Sequence, residues 1–262
     1  DVVLKPNFNS AQPFPASTHD DTIRSVTSSL HGAGCGTISL AESSGPTGTA
    51  KVMSSLGTAR LCDELGIDLV NLDELGASEW EAFGFDGMNW GGSLEIPRML
   101  RADKAIVLLP CLKTHFIARF TLSLKLAVGI TKRNRRYSGP GTLHRNEGSI
   151  GRWIADINAG FTPDLVVVDG TRCFVDGGPD RGTVKDAGIL LASTDRVAID
   201  AVGIAALIAA GSPAFGSTGI FEQEQLTRAG ELGLGATSPD EIDIFGNDAA
   251  IVSELRTILD GG

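Results

Sequence analysis

Short β-branched runs alternate with longer helix-patterned segments along this 262-residue chain. That alternation predicts an α/β fold, a mostly parallel or mixed sheet with helices on both faces. Strands are expected at residues 2–4, 37–40, 67–72, 104–109, 165–169, 189–192 and 242–245. Helices are expected at 20–31, 50–65, 121–130, 150–159, 195–210 and 249–259. The run at 165–169 is apolar on both sides, as in a central parallel strand. No linker, composition break or repeat divides the chain, so a single α/β domain over residues 1–262 is expected. The Gly-rich segment 83–92 suggests a small lobe inserted around residues 73–100.

Hydrophobic residues make up 42% and charged residues 21%, ordinary values for a globular protein with a sizeable core. Aromatics are only 6%, and the net charge is −10, which together disfavour nucleic acid or an anionic membrane as partner. No apolar run approaches membrane-spanning length. Cys35, Cys62, Cys111 and Cys173 are widely spaced and form no CxxC pair. Free, packed thiols in a reducing cytoplasm are therefore expected, with neither an iron–sulfur cluster nor a structural zinc site. The chain shows no signal-peptide pattern and opens directly on a strand-like run, which leaves room for a native N-terminus upstream.

Charge is distributed unevenly. Residues 104–146 contain nine Lys and Arg and no Asp or Glu. Set against −10 overall, that +9 leaves −19 for the remainder. Such a field concentrates anions at one place on an otherwise anion-repelling molecule.

Several motifs fall where strands feed into loops, the usual ligand position in parallel sheets. Lys5-Pro6-Asn7 follows the first strand and suits a carboxylate or phosphate, although Pro6 and Asn7 also make an ordinary strand stop and turn. Cys111, Lys113 and His115 follow the strand at 104–109 and its Pro110 stop. His115 suits a metal ligand or general acid–base and Lys113 an anion clamp, while Cys111 is either reactive or simply packed. Lys125 lies among Leu122, Leu124, Leu126 and Val128, so its ammonium either snorkels to solvent or faces an internal ligand. Arg133, Arg135 and Arg136 offer guanidinium forks for an anion, or a solvated basic surface. A Gly-Pro-Gly run at 139–141 predicts a hinged lid over 131–145, which would carry His144 towards His115 and form a two-histidine metal site. Asp169 ends the central strand and suits a third metal ligand, a base or a loop cap. Asp195 reads as a helix cap and Asp200 as a supporting group.

Taken in order, Lys5-Pro6-Asn7, Lys113-Thr114-His115, Ser123-Leu124-Lys125 with Gly129, His144, Val168-Asp169-Gly170, Gly178-Pro179 and Ala192-Ser193-Thr194-Asp195 with Ala198 and Asp200 resemble the DUF362 family. The resemblance runs from residue 2 to about 246 and implies that these pieces belong to one site. Some family members are fused to iron–sulfur modules; the cysteine-rich segment of those members is absent here. The family's Lys-Asn pair in the mid-chain helix reads Lys125-Leu126 in this chain.

The leading expectation is an enzyme for a small anionic molecule, a carboxylate or phosphate, using acid–base or metal-assisted chemistry. Lys5, Asn7, Lys113, Arg133, Arg135 and Arg136 would bind the substrate. His115, Lys125 and Asp169 would be catalytic, and His115, His144 and Asp169 would hold any divalent metal. The rivals are a non-catalytic module docking an anionic cofactor or acidic protein through residues 104–146, and a homo-oligomer whose basic loop meets its own acidic surface.

Overall fold

The computed structural model describes residues 1–101, 103–137, 141–145 and 149–261. Four parallel strands build one half of the main sheet: β1 (Val2–Pro6), β2 (Ile38–Glu42), β3 (Asp68–Asn71) and β6 (Ala105–Leu109), in the order β3-β2-β1-β6. Between them come α1 (Asp20–Gly32), α2 (Thr49–Leu56), α3 (Thr58–Leu65) and a separate antiparallel hairpin of β4 (Trp80–Phe83) and β5 (Leu94–Pro97). The other half contains β7 (Cys111–His115), β8 (Arg119–Thr121), β9 (Leu165–Phe174) and β10 (Val184–Ser193). The remaining helices are α4 (Ser123–Leu126), α5 (Arg133–Tyr137), α6 (Ile150–Asn158), α7 (Arg196–Ala209), α8 (Glu224–Glu231) and α9 (Ala249–Leu259).

Ten-residue β9 joins the two halves. One of its edges pairs in parallel first with β6, through Val107 and Leu108, and then with β7, through Cys111 and Lys113. Pro110 therefore kinks a strand that resumes, rather than stopping it. A proline can stand there because the carbonyl is what the ladder uses: Pro110 O accepts from Asp169 N at 3.1 Å. β8 folds back antiparallel on β7, and β10 lies antiparallel along the other edge of β9. The sheet is thus mixed and mostly parallel, as the alternation of segments predicts.

Strand alternation divides the apolar residues between two layers. Val2, Leu4, Val107 and Leu109 meet Ile23 of α1, Val52 of α2 and Leu61 and Cys62 of α3. Val3, Ile106, Leu108, Val166 and Val168 meet Leu124, Ile154, Val197 and Ile204 from the helices of the opposite face. The β4–β5 hairpin adds Phe83, Leu94 and Ile96 to that second core, so the segment at 73–100 forms a small lobe packed onto the main body. No helix among the described residues is long and apolar enough to cross a membrane.

Three expectations need correction. The helix at 50–65 is two helices, broken at Gly57, whose φ of 70° suits a glycine. The strand at 242–245 does not form. Ile242 O is instead taken by the Arg256 guanidinium, which also donates to Pro239 O at 3.1 Å, and Phe245 is exposed. The run at 121–130 is a single α-turn, α4, tightened into a 3₁₀ turn over Ala127–Ile130. The four cysteines are free, and burial pushes the Cys111 thiol up to about 11, which suits a packed residue and not a nucleophile.

Candidate functional site

The carboxyl ends of β1, β2 and β7 open into a cavity of about 390 Å³. Side-chain alternation turns Lys5 inward at the end of β1, where it is buried. Its Nζ pairs with Glu42 Oε1 at 2.6 Å and donates to Pro6 O at 2.7 Å. Glu42, at the end of the neighbouring strand β2, is itself saturated: Oε2 accepts from Phe8 N and Oε1 from Ser43 N, both at 2.8 Å. Gly129 closes over this pair. A Cβ there would lie 2.6 Å from Glu42 Oε1 and 2.9 Å from Lys5 Nζ, so the backbone can approach only without a side chain.

Lys113 is likewise committed. Its buried Nζ donates to Asn7 Oδ1 at 3.0 Å and to Ala16 O. Asn7 is fixed in turn by its backbone N–H on Thr18 Oγ1 at 2.7 Å, and Thr18 donates to Leu109 O at 2.7 Å. Burial lowers the pKa of both Lys5 and Lys113, opposed in Lys5 by the Glu42 charge.

Lys125 differs from these two. It lines the same cavity from α4, and among the described residues nothing pairs with its ammonium. The helix that carries it is pinned from α7, where Asp200 accepts from Ser123 N at 2.8 Å, Ser123 Oγ at 2.6 Å and Leu124 N at 3.0 Å. Burial, followed by the charges of Lys113 and Arg136, pulls Lys125 down to about 7. A lysine so placed is part free amine at neutral pH.

His115 ends β7 and is buried. Its Nδ1 accepts from the backbone N–H groups of Ile117 and Ala118 at 3.1 and 3.2 Å. A neutral imidazole that spends its one lone pair there carries its proton on Nε2 and is a donor. Burial and the nearby Lys125 and Lys113 charges keep it from taking a second proton. It therefore suits neither base catalysis nor metal ligation while those two bonds persist. His144 stacks on Tyr137 with ring centroids 4.9 Å apart, and burial followed by Lys125 holds it down at about 4. The imidazole is neutral and retains a lone pair.

The arginines divide. Arg136 is buried at the cavity wall and donates to Ser43 O at 2.9 Å, to Ser44 O at 3.0 Å and to Ser43 Oγ. Arg133 clasps the same 44–46 loop from outside through Ser44 O, Gly45 O and Pro46 O. Arg135 lies over the Trp90 ring at 5.6 Å. Neither Arg133 nor Arg135 lines the cavity. These cations are engaged one by one with the chain's own carbonyls and rings, not spread over a flat basic face. Part of the hinge expected at 139–141 lies outside the described residues.

The cavity thus gathers Lys5, Asn7, Lys113, His115, Lys125, Arg136 and His144. Asp169 is absent from it. Its carboxylate faces α1, accepting from Thr22 Oγ1 at 2.5 Å and from Thr171 N and Oγ1 at 3.0 and 2.7 Å. The triad His115, His144 and Asp169 therefore does not assemble. Among the described residues no three His, Cys, Asp or Glu side chains gather to hold a metal ion. The strand's odd positions turn towards α1, and Asp169 shares that face with Leu165 and Val167.

Three titratable lining residues were not singled out by the sequence: Glu42, Asp180 and Tyr137. Glu42 stands at a strand end beside Lys5, the same positional signal that marks Lys5 itself. Asp180 follows Gly178-Pro179 and accepts from Asn9 Nδ2 at 2.9 Å. Tyr137, the single tyrosine, has no sequence signal; only the fold brings it against His144. No curated protein matches the chain. A family model described as "Domain of unknown function (DUF362)" matches residues 2–205, so the chain belongs to the DUF362 family.

Proposed function

We propose that this protein binds a small carboxylate or phosphate compound in the cavity and acts on it as an enzyme, with Lys125 as the group that moves a proton. The observation that carries the reading is the Lys125 ammonium, without a partner among the described residues, in a cavity that also holds Lys113, Arg136 and the Lys5–Glu42 pair. Against four cations the lining offers Glu42 and Asp180, with Asp73 3.8 Å behind Arg136, so the wall keeps a net positive charge that an anionic ligand would offset. His115 would donate through Nε2–H, and Asn7 would hold Lys113 in place. His144, neutral and stacked on Tyr137, is the proton acceptor nearest in character to a base. A lysine drawn to about 7 has the acidity a proton-transfer group needs at neutral pH.

Acid–base chemistry is favoured over metal-assisted chemistry because His115 uses its lone pair on backbone donors. Arg133 and Arg135 belong to the wall that shapes the site and not to the contact with the ligand. A docking face for an acidic protein would need solvent-facing cations free of internal partners, and most of these have such partners.

The test is the melting temperature in inorganic phosphate and in a dicarboxylate, for wild type and Lys113→Met. The wild type should rise and the variant should not. Equal shifts in both would remove Lys113 from anion binding.

A further inference from the structure

The cavity is not uniformly polar. Phe8, Leu126 and Val128 line its wall, and Phe116 and Ile117 line it while remaining 72% and 47% exposed. Large apolar side chains are seldom left so open unless something covers them. Phe116 is also held in place, stacked on His115 with centroids 5.3 Å apart and planes 5° from parallel. A ligand that fits both halves has an anionic head among the cations and an apolar body reaching the mouth.

The three lysines then separate by what their nitrogens do. Lys5 and Lys113 are tied to acceptors and act as fixed charges. Lys125 has no hydrogen-bond or ion-pair partner among the described residues, in a place where the Lys113 and Arg136 charges favour its neutral form against the opposing pull of Asp180. An unengaged amine, desolvated beside other cations, is the arrangement that makes a lysine a carbonyl nucleophile.

We infer that Lys125 captures the carbonyl carbon of an apolar 2-oxo acid as an iminium, while Lys113 and Arg136 hold the acid's carboxylate. This deepens the anion-binding reading and rests on it. The Nζ lone pair forms the C–N bond as the carbonyl π pair moves onto oxygen. Two of the three protons of the original ammonium pass to that oxygen, the C–O bond breaks and water leaves. The third proton stays on nitrogen, so the single positive charge of the ammonium becomes that of the iminium. Neither an oxidant nor a second reactant is required. The iminium beside the carboxylate then draws electrons from the adjacent carbon, which loses a proton more readily, and this is the step a neutral imidazole such as His144 can assist.

The experiment uses the whole protein with 4-methyl-2-oxopentanoate and cyanoborohydride at neutral pH, read by intact mass and peptide mapping. The melting temperature is measured in the same acid without reductant. One reduced adduct per chain on Lys125, and none in Lys125→Arg or Lys125→Met, is the expected result. An adduct that persists in those variants, or spreads evenly over exposed Lys51 and Lys185, overturns the assignment. A rise in melting temperature without an adduct overturns covalent capture and leaves anion binding standing. Neither a rise nor an adduct overturns both.

Discussion

Two regions of this molecule bury charge, and they do so in opposite ways. In the helical layer, Asp156 on α6 accepts from Asn89 N, Asn89 Nδ2 and Arg228 Nε at 2.5, 2.8 and 2.8 Å, and Arg228 goes on to Gly87 O at 2.8 Å. Arg196 on α7 donates to Asn158 O and Phe161 O at 2.8 and 3.0 Å. These groups fasten the β4–β5 lobe and the helices to one another. At the sheet's carboxyl edge, half-buried Lys125 is held near Lys113 and Arg136, and among the described residues nothing pairs with it. The first arrangement lowers the cost of burial by saturating every group; the second carries that cost. What the difference teaches is where stability and function separate: a saturated charge is explained by the fold alone, and an unsaturated one that lines a cavity marks where a ligand would bind.

The contrast breaks most visibly at Asp156. Asp156→Ala removes three acceptor contacts and leaves the part-buried Asn89 donors unpaired, while Arg228 keeps Glu231 and Gly87 O, which should lower unfolding free energy by about 2 kcal/mol. Urea denaturation of the purified variant measures it, and a loss well under about 1 kcal/mol would show the layer to be held by packing instead. Lys125→Met should move the other way, raising stability by about 1–2 kcal/mol below pH 7 because a half-buried cation with no ion-pair partner among the described residues is replaced by an apolar chain of similar length. A variant less stable than wild type would mean that the lysine has a structural partner.

The pH dependence sharpens that second case. Lys125 is pulled to about 7, below the ordinary lysine value of 10.5, so the unfolded chain binds its proton more tightly than the folded one. The penalty is full below pH 7, shrinks as pH rises from 7 to 10.5, and vanishes above. The stability gap between Lys125→Met and wild type should therefore close over that window. A gap that is constant with pH would contradict the assigned shift. At the bottom of the scale, Arg24→Ala breaks an exposed pair with Glu64 and should leave the melting temperature unchanged within error.

Much of the fold was legible because strand and helix periods recur faithfully in the sequence. The alternation at residues 2–4 and 104–109 gave the strands and their two-sided burial, and Leu165–Phe174 only extended the expected central strand. The errors have local causes. Pro110 reads as a stop because sequence alone does not tell which backbone group the neighbouring strand will use. Residues 242–245 read as a strand because their apolar content resembles one, yet a distant arginine claims their backbone. Lys5, Lys113 and His115 do line the cavity, since strand ends in parallel sheets open towards such clefts. Asp169 obeyed the same rule and still failed, since a strand end has two faces and the rule does not choose between them. Glu42 carries no separate signal for a related reason: a carboxylate at a strand end reads as an ordinary loop start until the fold sets it beside Lys5.

Lys125 is the cavity lysine without a partner among the described residues, and on the proposed reading it meets the ligand. Isothermal titration calorimetry of 4-methyl-2-oxopentanoate into wild type and Lys125→Met at pH 6.5 tests it directly. Saturable binding to wild type that weakens at least tenfold in the variant, a loss of about 1.4 kcal/mol, is what this account predicts. Equal affinity in the two proteins, with the variant folded, would contradict it.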